Sequence, residues 1–268
     1  MVNILDYDKF VEMLELTIYK NEKANLINKI AANPSRYIGI FRPTSPKLKL
    51  IQNITQSHEI SFGDFIEDVI TYYLGRFYTN LEKRATYKDE DILFDQLFEY
   101  DNTIYMIEQK MRDDHDSTKK RGQFENFIKK VEYLKETYPE KNIEAGMWFV
   151  DQTLTKNKKY YTKKINKHQN NGAKLNLFYG DEFTTYLDKK SVWDEMTEYL
   201  IKWKIKEDNK LELNFENNWE KTKEELIKNV KKSAWKKIMK NENVVNEILP
   251  ILFPTEKYKE ILEILNIK

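Results

Sequence analysis

Cysteine is missing from all 268 residues. Its absence excludes disulfides, thiol nucleophiles and cysteine-ligated zinc or iron–sulfur centres. Histidine is nearly as scarce: His58, His115 and His168 stand far apart, in no H-E-x-x-H or other paired ligand spacing. Only seven glycines occur, and none builds a G-x-x-x-x-G-K-[ST] or G-x-G-x-x-G loop, so kinase and dinucleotide-binding readings have no support. No apolar run approaches the roughly 18 residues that a membrane-spanning helix needs. The opening residues, MVNILDYDKF, carry acids where a secretory leader carries bases, and a cytoplasmic protein is expected. An excess of one charge is lacking too. Forty-five Lys and Arg face 44 Asp and Glu, a formal net charge of +1, so any basic surface has to be local.

What is present suffices for a sizeable core, with 40% apolar and 13% aromatic residues. Apolar positions in 6–32 recur at helical spacing. The proline-punctuated stretch 33–50 reads as a loop with a short extended piece. Ser61 or Asp64 is placed to cap a helix through FIEDVITYYLGRFYTNL. A strand pair follows at about 91–111, then a polar loop and a helix with Phe124, Phe127, Val131 and Leu134 on one face. AGMWFV and KLNLFYG read as further strands, separated by a lysine-rich helix. The chain beyond Ser191 is mainly helical, with an extended piece near Leu211–Phe215. The expected fold is α/β: a mixed central sheet flanked by helices, with a mainly helical C-terminal part. The expected segments are 1–56, a core at 57–190, and an extension at 191–268 packed on that core.

Chemistry concentrates in DILFDQLFEYDNTIYMIEQKM. Asp101-Asn102 suits a two-residue turn, since both residues tolerate positive φ. Counting outward, Tyr100 faces Thr103, Leu97 faces Met106 and Asp95 faces Glu108. Lys110, two residues further on, shares that face. Two carboxylates and an amine then converge on a mostly apolar hairpin. Facing like charges repel unless a cation compensates them. Mg²⁺ favours such oxygen ligands, and a neighbouring lysine can orient or deprotonate a water. Other acid-x-Lys triplets occur at Asp188-Lys189-Lys190 and Asp208-Asn209-Lys210, but without a strand-like apolar segment and an opposed acid. Asp91 competes with Asp95 as first acid, though it lies about 13 Å further along the strand.

This arrangement resembles the PD-(D/E)xK nuclease superfamily, and within it the type II restriction endonucleases. The pattern is Asp95, then Glu108-x-Lys110 at the end of the next strand, with Phe94 standing where the family usually has proline. The resemblance covers about residues 57–190, including AGMWFV, KLNLFYGDEF and the charged stretch after Lys110. It implies a restriction-endonuclease-like core, Asp95 and Glu108 as Mg²⁺ ligands, and Lys110 acting on the water. Glu67, in SFGDFIEDVITYYL, fits the place of an upstream helix acid in the same site.

Basic residues follow the lysine at once: Arg112, Lys119, Lys120, Arg121 and Gln123, with His115 among them. They are candidate contacts to double-stranded DNA, through phosphates or base edges. Interleaved Asp113, Asp114 and Asp116 could accept from cytosine, organise the arginines or bind metal. Residues 156–169 and 228–240 form two more basic stretches, with Trp235 read as core. Symmetric double-strand cleavage implies a homodimer, and a restriction system implies a cognate DNA methyltransferase. Two alternatives stay open: a repair or structure-specific nuclease of the same superfamily, and a non-catalytic DNA-binding module.

Overall fold

The computed structural model describes residues 3–169, 172–206 and 212–267. The chain forms two compact units, Met1–Met13 with Gly63–Lys204, and Leu14–Phe62 with Ile205–Lys268. This division differs from the expected cuts at 56 and 190. One cause is a single long helix through the first cut.

The helical stretch expected over 6–32 is two helices, α1 (Tyr7–Tyr19) and α2 (Glu22–Ala32). Asn21 interrupts them at φ 57°, a left-handed conformation that asparagine adopts more readily than most residues. Past a 3₁₀ turn at Pro34–Arg36, α3 runs unbroken from Pro46 to Leu74. Ser61 and Asp64 therefore lie inside a helix and cap nothing, because Pro46 opens it about four to five turns earlier.

The first unit is built on a five-stranded sheet. Its elements are β1 (Thr79–Asn80), β2 (Arg84–Tyr87), β3 (Glu90–Leu93), β4 (Gln96–Tyr100), β5 (Thr103–Lys110), α4 (Ser117–Thr137), β6 (Asn142–Phe149), α5 (Lys158–His168), β7 (Lys174–Tyr179), α6 (Glu182–Tyr186) and α7 (Lys190–Lys206). The sheet order is β1-β4-β5-β6-β7, while β2 and β3 form a separate hairpin. The β1/β4 and β4/β5 pairs are antiparallel, and the β5/β6 and β6/β7 pairs are parallel. Parallel strands covered on both faces need near-continuous apolar sequence, and AGMWFV in β6 is buried along its length. On one face, Ile104, Met106, Ala145 and Met147 pack with Phe124, Phe127, Val131 and Leu134 of α4. On the other, Phe98 stacks on Tyr105 at 5.1 Å, and Trp148 lies 5.0 Å from Phe183. The α/β class with a mixed sheet, flanking helices and a helical C-terminal region is what the sequence pattern indicates.

The second unit is helical. After α2 and the first part of α3 come α8 (Trp219–Asn229), α9 (Lys232–Met239), α10 (Glu242–Glu247), α11 (Leu249–Leu252) and α12 (Tyr258–Ile264). Its core gathers Leu26, Ile30 and Tyr37 with Phe215, Leu226, Trp235 and Phe253. Trp235 is fully buried there, as expected. Leu211, the start of the expected extended piece, and the Asp208-Asn209-Lys210 triplet lie outside the described residues; 212–215 join no strand.

Candidate active site

The hairpin forms with the register that its turn dictates. Asp101 and Asn102 have φ of 45° and 60°, the two positive values of a tight hairpin turn. Tyr100 pairs with Thr103 and Leu97 with Met106, which sets Asp95, just before β4, against Glu108. Side chains alternate along a strand, so Met106, Glu108 and Lys110 share the face covered by α4.

On that face three oxygens surround one cationic atom. The Lys110 Nζ lies 2.7 Å from Glu108 Oε1, 2.8 Å from the Gln109 carbonyl oxygen and 3.2 Å from Asp95 Oδ2. The Gln109 amide also donates to Asp95 Oδ2 at 2.7 Å, which fixes the aspartate against the strand end. The other oxygen of Glu108 has a partner that sequence reasoning missed: Lys130 of α4, with its Nζ 2.5 Å from Oε2. Lys130 is only 4% exposed. A signal existed, because Lys130 follows Phe127 by three residues and precedes Leu134 by four, on the apolar face of the helix. Phe94 is fully buried, with its ring 5.9 Å from the Lys130 ammonium.

These charges divide the two acids. Burial and the Glu108 charge push Asp95 above the usual carboxylate range, against the pull of Lys110. Burial would raise Glu108 as well, but Lys110 and Lys130 outweigh it and hold Glu108 below that range. Burial disfavours the Lys110 ammonium, yet Glu108 and Asp95 more than compensate and raise its pKa. Lys110 is therefore a fixed ammonium in this arrangement, suited to donating hydrogen bonds and stabilising negative charge.

Glu67 lies on α3, which Gln96 ties to β4: its side chain accepts from the Thr71 hydroxyl and donates to the Glu67 carbonyl, both at 2.8 Å. The Glu67 carboxylate pairs with Lys83. Burial raises its pKa, Lys83 lowers it, and the Asp95 charge adds a further upward push. Asp91 is not a rival to Asp95. The expected strand at 91–111 is interrupted, because residues 90–93 pair with 84–87 instead. Asp91 is exposed there and accepts from Thr86 at 3.4 Å.

The basic residues after Lys110 fall into two settings. Arg112 and His115 lie in the connection to α4. Gln123 lies on α4 as expected, and Lys119, Lys120 and Arg121 lie there too rather than in a loop, because Asp116 caps that helix by accepting from the Thr118 and Lys119 amides. Lys119 and Arg121 are exposed. Lys120 donates to Asn157 Oδ1 at 3.0 Å and sits over the Tyr160 ring, and Gln123 accepts from the Tyr161 hydroxyl at 3.0 Å. Burial, with Lys119 nearby, lowers the His115 pKa, and its Nε2 is buried without a hydrogen-bond partner.

Asp113 departs from every reading of the interleaved acids as surface groups. It is fully buried and accepts from the Asn157 amide at 2.8 Å, the Asn157 side chain at 2.9 Å and the Tyr179 hydroxyl at 2.9 Å. It thus joins the segments leaving β5, β6 and β7. Asp113→Ala leaves the buried Asn157 amide and Tyr179 hydroxyl without an acceptor, while the Asn157 side chain keeps the His115 carbonyl at 3.1 Å, and urea unfolding should show a loss of about 3 kcal/mol. A loss under about 0.5 kcal/mol, the scale of a surface change, would contradict this anchoring role.

Among the described residues, no group of three or more His, Cys, Asp or Glu is placed to hold a metal ion. The site's donor set is instead two carboxylates and a backbone carbonyl. No described helix is long and apolar enough to cross a membrane.

No curated protein matches the chain. Among solved structures, Can2 from Sulfobacillus thermosulfidooxidans, in complex with cyclic tetra-adenylate, is 14% identical over 74% of this chain and 55% of that one, with a TM-score of 0.32. The match thus spans about half the length of that protein. A family model described as "Type II restriction endonuclease, HinfI" matches residues 7–86 and 76–204, well over half of the chain and the whole of the hairpin site. The chain belongs to the HinfI family of type II restriction endonucleases.

Proposed function

We propose that this chain is a PD-(D/E)xK endonuclease that hydrolyses phosphodiester bonds at a specific sequence in double-stranded DNA, with Mg²⁺ as cofactor. The observation that carries the reading is the convergence of Asp95, Glu108 and the Gln109 carbonyl on one cationic atom. Three hard oxygens around a positive charge are a donor set that suits Mg²⁺, which keeps several waters beside a few protein ligands. Asp95, Glu108 and Gln109 would hold the ion. When bound, it would neutralise charge at the scissile phosphate and ease the ionisation of water. Glu108, held below the usual carboxylate range by Lys110 and Lys130, is ionised and available as a ligand at neutral pH. Lys110 directs its ammonium at the same point, where it orients the attacking water and stabilises the negative charge that develops on phosphorus-bound oxygens. Glu67 is a supporting acid, held by Lys83.

The residues assigned to the reaction fall within 57–190, the stretch that the sequence marks as nuclease core. Arg112, His115, Lys119, Lys120, Arg121 and Gln123 follow the metal face and are assigned to DNA. A symmetric recognition site requires two such centres, hence a homodimer, and a cognate methyltransferase would protect host DNA.

Unmethylated phage DNA with Mg²⁺ should give discrete fragments that EDTA abolishes. Asp95→Asn and Glu108→Gln should each lower cleavage by about a thousandfold, as loss of a group stabilising the transition state does. Calorimetric titration with Ca²⁺ should show weakened binding in both. Unchanged Ca²⁺ binding would remove these carboxylates from the metal site. Cleavage confined to branched DNA would favour a structure-specific nuclease.

A further inference from the structure

The second unit carries a charge pattern at odds with the rest of the chain. Residues 23–58 contain no Asp or Glu, a run of 36 residues in a chain with 44 acids among 268. The same run holds six cations: Lys23, Lys29, Arg36, Arg42, Lys47 and Lys49. A near-neutral protein has thus gathered one segment of purely positive charge.

At the middle of that segment stands an apolar tip. Gly39 to Arg42 is a turn closed by the Arg42 amide on the Gly39 carbonyl at 3.0 Å. Its two central residues are Ile40 and Phe41, 91% and 93% exposed, the most exposed large apolar side chains of the described residues. Turn corners are normally Gly, Pro, Asn, Asp or Ser, and a solvent-exposed Ile-Phe pair contributes nothing to folding. The tip is also held firmly. Tyr37 and Ile38 are buried just before it, and Arg42 Nε donates back to the Ser35 carbonyl at 3.2 Å.

We infer that this turn is a second DNA-contacting element, in which Ile40 and Phe41 enter a groove of the duplex as an apolar wedge while Arg36, Arg42 and Lys47 hold the flanking phosphates. The inference rests on the nuclease reading above and extends it to a unit outside the hairpin site. Double-stranded DNA fits both halves of the observation. Its backbone rewards a cationic segment free of carboxylates, and its base steps accept apolar side chains that partly unstack them. A second copy of this chain, or an acidic protein surface, would have to supply carboxylates against the arginines and an apolar recess for the tip.

The test uses the full chain with Ca²⁺ in place of Mg²⁺, so that binding is read without cleavage. Fluorescence anisotropy with a labelled duplex should show an affinity at least tenfold lower for the Ile40→Ser/Phe41→Ser double variant, with an unchanged melting temperature. Arg36→Gln/Arg42→Gln should reduce the slope of log affinity against log salt by about two, close to one per phosphate contact. Duplexes carrying 2-aminopurine should brighten on binding the wild type and not the double-serine variant. If the wild type cleaves DNA while both variants bind it unchanged, the wedge is wrong and the nuclease reading stands. If the wild type neither binds nor cleaves duplex DNA, both fall. A double-serine variant that dissociates into monomers with its DNA affinity intact would mark the tip as a self-association contact and overturn the inference.

Discussion

Lys110→Ala should cut DNA cleavage by about a thousandfold, the scale expected when a charge that stabilises the transition state is removed. The same change should alter metal linkage in the opposite sense. In the wild type the Lys110 ammonium lies 2.7 Å from Glu108 Oε1 and 3.2 Å from Asp95 Oδ2, so it neutralises part of the charge that a divalent ion would otherwise meet. Without it, Asp95 and Glu108 face each other with only Lys130 to compensate. The metal-free variant should therefore be less stable than the wild type at neutral pH. Ca²⁺ should raise its melting temperature by more than it raises that of the wild type, since a ligand that binds only the folded state stabilises it in proportion to its affinity. Lys110→Arg should not rescue cleavage, because a planar guanidinium cannot place one compact charge among three oxygens. A Lys110→Ala protein that cleaves at wild-type rate would end the assignment. One that is inactive but shows no enhanced Ca²⁺ stabilisation would leave Lys110 in the reaction and show that its ammonium does not offset the charge a metal ion meets at Asp95 and Glu108.

The legibility of this site followed the range of the interactions that build it. The turn at Asp101-Asn102 and the alternation of β4 and β5 are local, so the pairing of Tyr100 with Thr103 and of Leu97 with Met106 could be counted from the turn, and it holds in the structure as far as Gln96, one residue short of Asp95. Helix boundaries were less accessible. Nothing near Ser61 says that α3 already began at Pro46, because the start signal lies upstream, where Ser45 Oγ accepts from the Leu48 amide at 3.4 Å. Asp113 looked like one of three surface acids, yet Asn157 and Tyr179, 44 and 66 residues away, bury it. Lys130 was hidden differently. Beside Lys129, in a helix rich in charge, it reads as half of a solvated pair. Only Lys129 fits that reading, pairing with exposed Glu90, while Lys130 turns inward to Glu108. Its position on the Phe127–Leu134 face was visible, but its carboxylate partner on another element was not.

That inward lysine gives the largest expected effect on stability. Lys130 and Glu108 are each about 5% exposed at the side chain, so solvent screens their attraction little. Removing one partner of a buried pair leaves an uncompensated charge and typically costs about 3–5 kcal/mol. Lys130→Met keeps the apolar stem but not the ammonium, and urea unfolding at pH 7 should show a loss near the lower end, about 3 kcal/mol, because Lys110 still holds Oε1. The loss should depend on pH with a definite sign. Glu108 is held below its ordinary value of 4.5, so its ionised form stabilises the fold above the unfolded-state pKa and that contribution fades as pH falls through the folded-state value. The variant lacks part of that contribution. Its deficit relative to the wild type should therefore be full at pH 7 and shrink as pH falls below about 4.5 towards the folded-state value, beneath which the carboxyl is protonated in both states. Glu108→Gln/Lys130→Met should recover much of the neutral-pH stability, since it removes both charges together, while staying inactive. A Lys130→Met deficit that is the same at pH 7 and pH 4, or a double variant no more stable than the single, would show that Lys130 matters for packing against Phe94 and not for the charge of Glu108.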